Sequence, residues 1–147
     1  MDTPKLLRSL NERNVRYVVI GATAFPIHGY ARATLDVDIF IEPTKENAAA
    51  VHAALRDFGH DVTDLSIDDL LSKKVLIRQY VLQTDIHPFV KGPAFEEVWN
   101  GRVPGEIGGI PTFFAGLDEL IRMKRAAGRP KDREDLRVLE ALREKKR

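Results

Sequence analysis

One stretch of the chain, Leu35-Asp36-Val37-Asp38-Ile39-Phe40-Ile41, limits its fold more than any other. It alternates with a period of two and is closed by Pro43, which predicts a β-strand with Val37, Ile39 and Ile41 facing a core. Residues two apart on a strand project from the same face, so Asp36 and Asp38 are set side by side. Aspartate is disfavoured in strands, and two adjacent carboxylates repel unless a cation lies between them. For two hard oxygen ligands that cation is Mg²⁺ or Mn²⁺. The plainer alternative is a strand that simply turns both aspartates to solvent. Against it stands the preceding Arg32-Ala33-Thr34, which places a cation and a hydroxyl beside the pair.

A third carboxylate lies in Leu82-Gln83-Thr84-Asp85-Ile86-His87, where Asp85 and His87 share a strand face. If this strand neighbours the first, three carboxylates converge, enough to hold two divalent ions about 4 Å apart. His87 reads as an ordinary hydrogen-bonded histidine, with an outer ligand or base as the alternative.

The 147 residues suit one domain, 1–147, and a 44% hydrophobic content fills one core. With no cysteine, thiolate metal sites and disulfides are excluded, and ligands must be oxygen or imidazole. No apolar run reaches the roughly 18–20 residues that span a bilayer, and the first residues lack an apolar signal core, so a soluble cytoplasmic protein is expected. The 23 basic and 22 acidic residues nearly cancel, which gives no general argument for wrapping nucleic acid. Basic residues do gather from Arg122 to Arg147, either as a solvated helical face or as a surface for phosphates or RNA.

Periodicity predicts a helix over 4–13, a strand over 17–20 ended by Gly21, and a short or kinked helix over 22–28 stopped by Gly29. After the acidic strand, a helix capped by Thr44 runs to Gly59. Two strands follow, near 75–78 and 81–88. Residues 92–109 read as irregular, pinned by one helical turn at Phe95, Val98 and Trp99. A helix from Leu117 to Gly128 and a last one after Pro130 complete an α, β, α, β, α, β, β, α, α order, an α/β architecture with a mixed sheet and a C-terminal helical pair. Lys124 falls on the apolar stripe of Leu117, Leu120 and Ile121, so its ammonium needs an anionic partner unless it snorkels to solvent. Asp132 reads chiefly as a cap of the last helix.

Taken together, Gly21-Ala22 closing a strand, Arg32-x-Thr34-x-Asp36-x-Asp38 and Asp85 on a later strand resemble the nucleotidyltransferase superfamily that includes DNA polymerase beta. The tail from Gly116 through Lys124 to Arg129-Pro130-Lys131-Asp132 is similar to that of small bacterial members related to AbiEii-type nucleotidyltransferase toxins.

That resemblance implies a metal-dependent enzyme moving a nucleoside monophosphate from an NTP to an acceptor hydroxyl. It makes Asp36, Asp38 and Asp85 the metal ligands, with Asp85 as base. Gly21, Ala22, Thr23, Arg32, Thr34 and Lys124 would be the nucleotide and phosphate contacts. The acceptor is left open among tRNA or other RNA, a protein hydroxyl and a small molecule. Ala22 stands where the family has Gly or Ser, which keeps alive a catalytically weak binding module or one half of a toxin-antitoxin pair with a partner protein. Thr23 can restore the missing hydroxyl.

Overall fold

Tyr17–Ile20 (β1) is buried at all four positions, which requires cover on both faces and places it in the middle of the sheet. The computed structural model describes residues 3–34, 36–79 and 82–146. Leu35 and Val81, the expected first residues of two strands, and the terminal Arg147 lie outside them.

The first helix is Thr3–Glu12 (α1), which buries Leu6, Leu7 and Leu10 as the spacing predicts. After β1 the expected short helix is a pair of 3-10 turns, Gly21–Ala24 and Pro26–His28, ended by Gly29 at φ 103°. Val37–Ile41 (β2) follows, then Lys45–Phe58 (α2). The Thr44 hydroxyl accepts from the Asn47 N–H at 3.2 Å at its start, and Gly59 closes it at φ 102°. Next come Ile67–Ser72 (α3), Val75–Gln79 (β3) and Leu82–His87 (β4). Phe95–Asn100 (α4), Val103–Ile107 (β5), Ile110–Phe114 (β6), Leu117–Ala127 (α5) and Arg133–Lys145 (α6) complete the order.

Among the described residues the strands form one six-stranded mixed sheet in the order β3-β4-β2-β1-β6-β5. β1 runs antiparallel to β2, whereas β2 and β4 are parallel. Ile39 and Ile41 are buried on one face of β2, and Val37 packs half-buried beside them. On the other face Phe40 is buried edge-on against Phe95 of α4, with ring centroids 5.3 Å apart. That second face is the one carrying Asp38.

The expected irregular stretch at 92–109 is corrected. Its helical turn is present as α4, but β5 follows it and pairs with β6 across Gly108 and Gly109, both at positive φ (57° and 81°). Such a Gly-Gly pair is what a two-residue hairpin needs. The prolines Pro104 and Pro111 mask the signal: Pro104 is tolerated because β5 is an edge, and Pro111 because it stands at the start of β6, away from the Val19–Phe114 register with β1. α3 was also unforeseen. Its sequence signal is a capping box in which the Ser66 hydroxyl accepts from the Asp69 N–H and the Asp69 carboxylate accepts from the Ser66 N–H, each at 3.0 Å.

Candidate active site

The parallel pairing of β2 with β4 sets Asp38 and Asp85 directly opposite each other, and Phe40 opposite His87. One ligand atom from each of Asp38, Asp85 and His87 lies within 4.8 Å of the others. The His87 Nε2 donates to Asp38 Oδ1 at 2.9 Å. This fixes the imidazole orientation and leaves the second Asp38 oxygen for another partner.

Across the site, the turn after β1 comes up against the same carboxylate. Gly21 has φ 71°, and a Cβ built there would stand 2.8 Å from Asp38 Oδ2. Gly21 is thus required twice over, by backbone conformation and by contact with the acidic group. Thr23 and Thr34 converge on the backbone of Asp36: both hydroxyls donate to its carbonyl, at 3.0 and 3.2 Å, and the Asp36 N–H donates back to Thr34 Oγ1 at 3.3 Å. These bonds tie Thr34 and Asp36 to the glycine turn.

Asp36 itself precedes β2 by one residue and is exposed, outside the group formed by Asp38, Asp85 and His87. The carboxylate that shares a strand register with Asp38 is Asp85. Leu76, on the edge strand β3, pairs with Asp85 from the other side and is 51% exposed. Arg78, on the same face, brings its Nη1 to 2.9 Å from Asp85 Oδ1. Even so, that buried oxygen receives no hydrogen bond among the described residues. The N–H groups of Nη1 are aimed instead at the carbonyls of Ile77 (3.1 Å) and Thr84 (3.5 Å). The guanidinium therefore offsets the charge without filling the lone pair.

Two facing aspartates, with one carboxylate oxygen buried and lacking a hydrogen bond, are hard oxygen donors that fit Mg²⁺ or Mn²⁺, and His87, bonded through Nε2 to Asp38, orients that carboxylate. A divalent ion would complete the coordination that the protein leaves open at Asp85 Oδ1.

Lys124 and Arg32, both expected at phosphates, meet instead at a second acidic pair. Lys124 Nζ is 2.9 Å from Asp132 Oδ1 and 3.4 Å from Asp135 Oδ2, and it lies 5.7 Å from the Phe25 ring. Arg32 Nε is 3.1 Å from Asp135 Oδ1, to which the Tyr30 hydroxyl also donates at 2.8 Å. Arg129 completes the set with a fork onto Asp132, at 2.7 and 3.1 Å. Asp132 and Asp135 are each only 3% exposed. Burial pushes the Asp132 carboxyl up, but the bonds from Arg129 and Lys124 outweigh it and hold the group at about 2.

Asp132 occupies the cap position of α6, but its side chain makes no capping bond, which corrects the expected capping role: two cations claim the carboxylate. Sequence reasoning placed Asp135 only in the first turn of the last helix. The three-residue spacing from Asp132, which puts both on one helix face, was the available signal. Arg78 gave none, because its proximity to Asp85 depends on the β3–β4 register.

The fold is shared with a candidate nucleotidyltransferase of known structure from Thermotoga maritima. That likeness has a TM-score of 0.62 at 17% identity, and it covers 91% of this chain and 87% of that one. No curated protein matches the chain. Residues 3–144 match a family model, and the chain belongs to that family, described as "Nucleotidyltransferase of unknown function (DUF6036)". No helix among the described residues is long and apolar enough to cross a membrane.

Proposed function

We propose that the chain is a Mg²⁺- or Mn²⁺-dependent nucleotidyltransferase that moves a nucleoside monophosphate from an NTP to an acceptor hydroxyl. The observation that carries this reading is the in-register pairing of Asp38 with Asp85 against the Gly21 turn, next to an Asp85 oxygen without a hydrogen bond. Asp38 and Asp85 hold the metal, with His87 beside them, and Asp36 joins as a ligand once nucleotide is present. The bound ion supplies charge neutralisation for the triphosphate and for the transition state.

Asp85 accepts the proton of the acceptor hydroxyl. The acceptor oxygen forms a bond to the α-phosphorus as the bond to the bridging oxygen breaks, and pyrophosphate leaves. The turn at Gly21, Ala22 and Thr23 meets the triphosphate through backbone N–H groups. Thr34 keeps Asp36 in place and Thr23 ties it to that turn, while Lys124 and Arg32 would reach the phosphates only by giving up part of their pairing with Asp132 and Asp135.

The decisive experiment incubates the protein with each α-labelled NTP, Mg²⁺ or Mn²⁺, and total cell RNA or protein. Label transferred to either pool with release of pyrophosphate supports the reading. Absence of both, in a protein that also binds no NTP, would sink it.

A second reading, a nucleotide-binding half of a toxin-antitoxin pair of the AbiEii-like kind, draws support from the occupied hydroxyls. Ala22 has no hydroxyl to offer, and those of Thr23 and Thr34 are spent on Asp36. NTP binding without any transfer, together with capture of a specific partner protein, would favour it.

A further inference from the structure

Asp85 is flanked on the edge strand by two side chains that the proposed chemistry does not use, Leu76 and Arg78. Leu76 is its direct cross-strand neighbour and half exposed, an uncommon placement for leucine beside a half-buried carboxylate. Arg78 is 44% exposed, and its Nη1 is anchored to the Ile77 and Thr84 carbonyls. Its Nε and Nη2 have no hydrogen-bond partner among the described residues. A guanidinium held by one nitrogen, 44% exposed and with its remaining donors unpaired among the described residues, presents a planar fork of the kind that binds an oxyanion by two parallel bonds.

The position of this fork matters. The contact with Asp85 Oδ1 puts it within one side chain's reach of the group that takes the acceptor's proton. Any acceptor whose hydroxyl reaches Asp85 from the β3 side must pass Leu76 and Arg78. Building on the reading above, we infer that Arg78 is a specificity-determining residue that selects acceptors carrying an anionic group, a phosphate or a carboxylate, close to the hydroxyl that is modified. Leu76 supplies the apolar contact for the carbon skeleton between the two groups.

The inference is tested by binding, without turnover. Glycerol, glycerate and glycerol 3-phosphate share a three-carbon polyol skeleton and differ in charge and oxyanion type. Each is titrated into isotope-labelled protein in the presence of Mg²⁺, following the Arg78 side-chain resonances and the backbone of β3. Both anions are expected to shift Arg78 saturably and glycerol to leave it unmoved, and the tighter of the two anions names the acceptor's group. Arg78→Gln should weaken anion binding on the order of tenfold or more, and Arg78→Lys, which keeps the charge but loses the fork, should fall between. Glycerol binding as well as the anions, or anions binding equally to Arg78→Gln, would overturn the inference. The same protein is titrated with a non-hydrolysable NTP analogue and Mg²⁺. If the analogue binds but anions ignore Arg78, only the acceptor assignment falls. If the analogue does not bind, the underlying nucleotidyltransferase reading falls and takes the acceptor assignment with it.

Discussion

The molecule contains two clusters of buried or half-buried charge, and they are built in opposite ways. Around Lys124 each carboxylate has more than one partner: Asp132 takes Lys124 and Arg129, while Asp135 takes Lys124, Arg32 and Tyr30. Around Asp38 and Asp85 the carboxylates face each other with one imidazole, one guanidinium at the rim and an oxygen that receives no hydrogen bond. Burying charge is costly unless it is paired, so the first cluster accounts for itself within the chain, whereas the second keeps an acceptor without a hydrogen bond among the described residues, which is why it carries the proposed metal. The contrast sets residues that pair with one another against residues proposed to hold a ligand, and each of the following changes probes it.

The largest effect is expected at the incomplete cluster. Asp38→Asn or Asp85→Asn should abolish label transfer from α-labelled NTP, a fall of about a thousandfold or more, because ligand or base is lost in the transition state. The melting temperature without metal should stay level or rise, since one of two facing charges is gone. A variant that unfolds would move the pair into the structural class.

Lys124→Met tests the opposite side. It leaves Asp132 and Asp135 facing each other with only Arg129 and Arg32 at the rim, so stability should drop by about 2 kcal/mol in urea unfolding. A stable variant with weakened NTP affinity would instead make Lys124 primarily a phosphate ligand.

Gly21→Ala is expected to cost about 1–2 kcal/mol, from positive φ and from contact with Asp38 Oδ2. In the double variant with Asp38→Ala the contact part should return and the conformational part remain, which a thermal-unfolding cycle resolves.

Acid should reach the paired cluster through Asp132. Its carboxyl is depressed from 3.8 to about 2, so its contribution is complete above pH 4 and lost as pH falls through 2. The expected loss is on the order of 2 kcal/mol, read as the difference between wild type and Asp132→Asn across that window.

The smallest change should be in metal binding by Asp36→Asn. Direct Mn²⁺ titration without nucleotide should be unchanged, while transfer is impaired. A weaker Mn²⁺ affinity in the free protein would put Asp36 in the resting cluster.

Much of this was readable from residues, and the gaps have physical causes. The period-two run at 37–41 specified β2 and its two faces, because a half-buried strand writes its geometry locally. Thr44, Gly59 and Gly128 marked helix ends for the same reason. That Asp85 would stand opposite Asp38 rather than elsewhere was a conditional statement, since parallel pairing across α2, α3 and β3 leaves no local trace. The β5–β6 hairpin was hidden by Pro104 and Pro111, the first acceptable because β5 ends the sheet and the second because it stands where β6 begins, away from its register with β1. Asp132 looked like a cap because cap and ion-pair roles call for the same residue at the same place. The fork from Arg129 and the approach of Lys124 on α5 decide which role its oxygens take.

The parallel register of β2 and β4 also governs when the site comes into being. Asp38 and His87, now hydrogen-bonded, are 49 residues apart in sequence, and a parallel pair cannot close as a hairpin. Non-local pairing of this kind forms late, after loop-closure entropy has been overcome. The facing arrangement of Asp38 and Asp85 therefore exists only once β2 and β4 have paired. A divalent ion held there is expected to slow unfolding more than it speeds folding, which unfolding and refolding rates with and without Mn²⁺ would read.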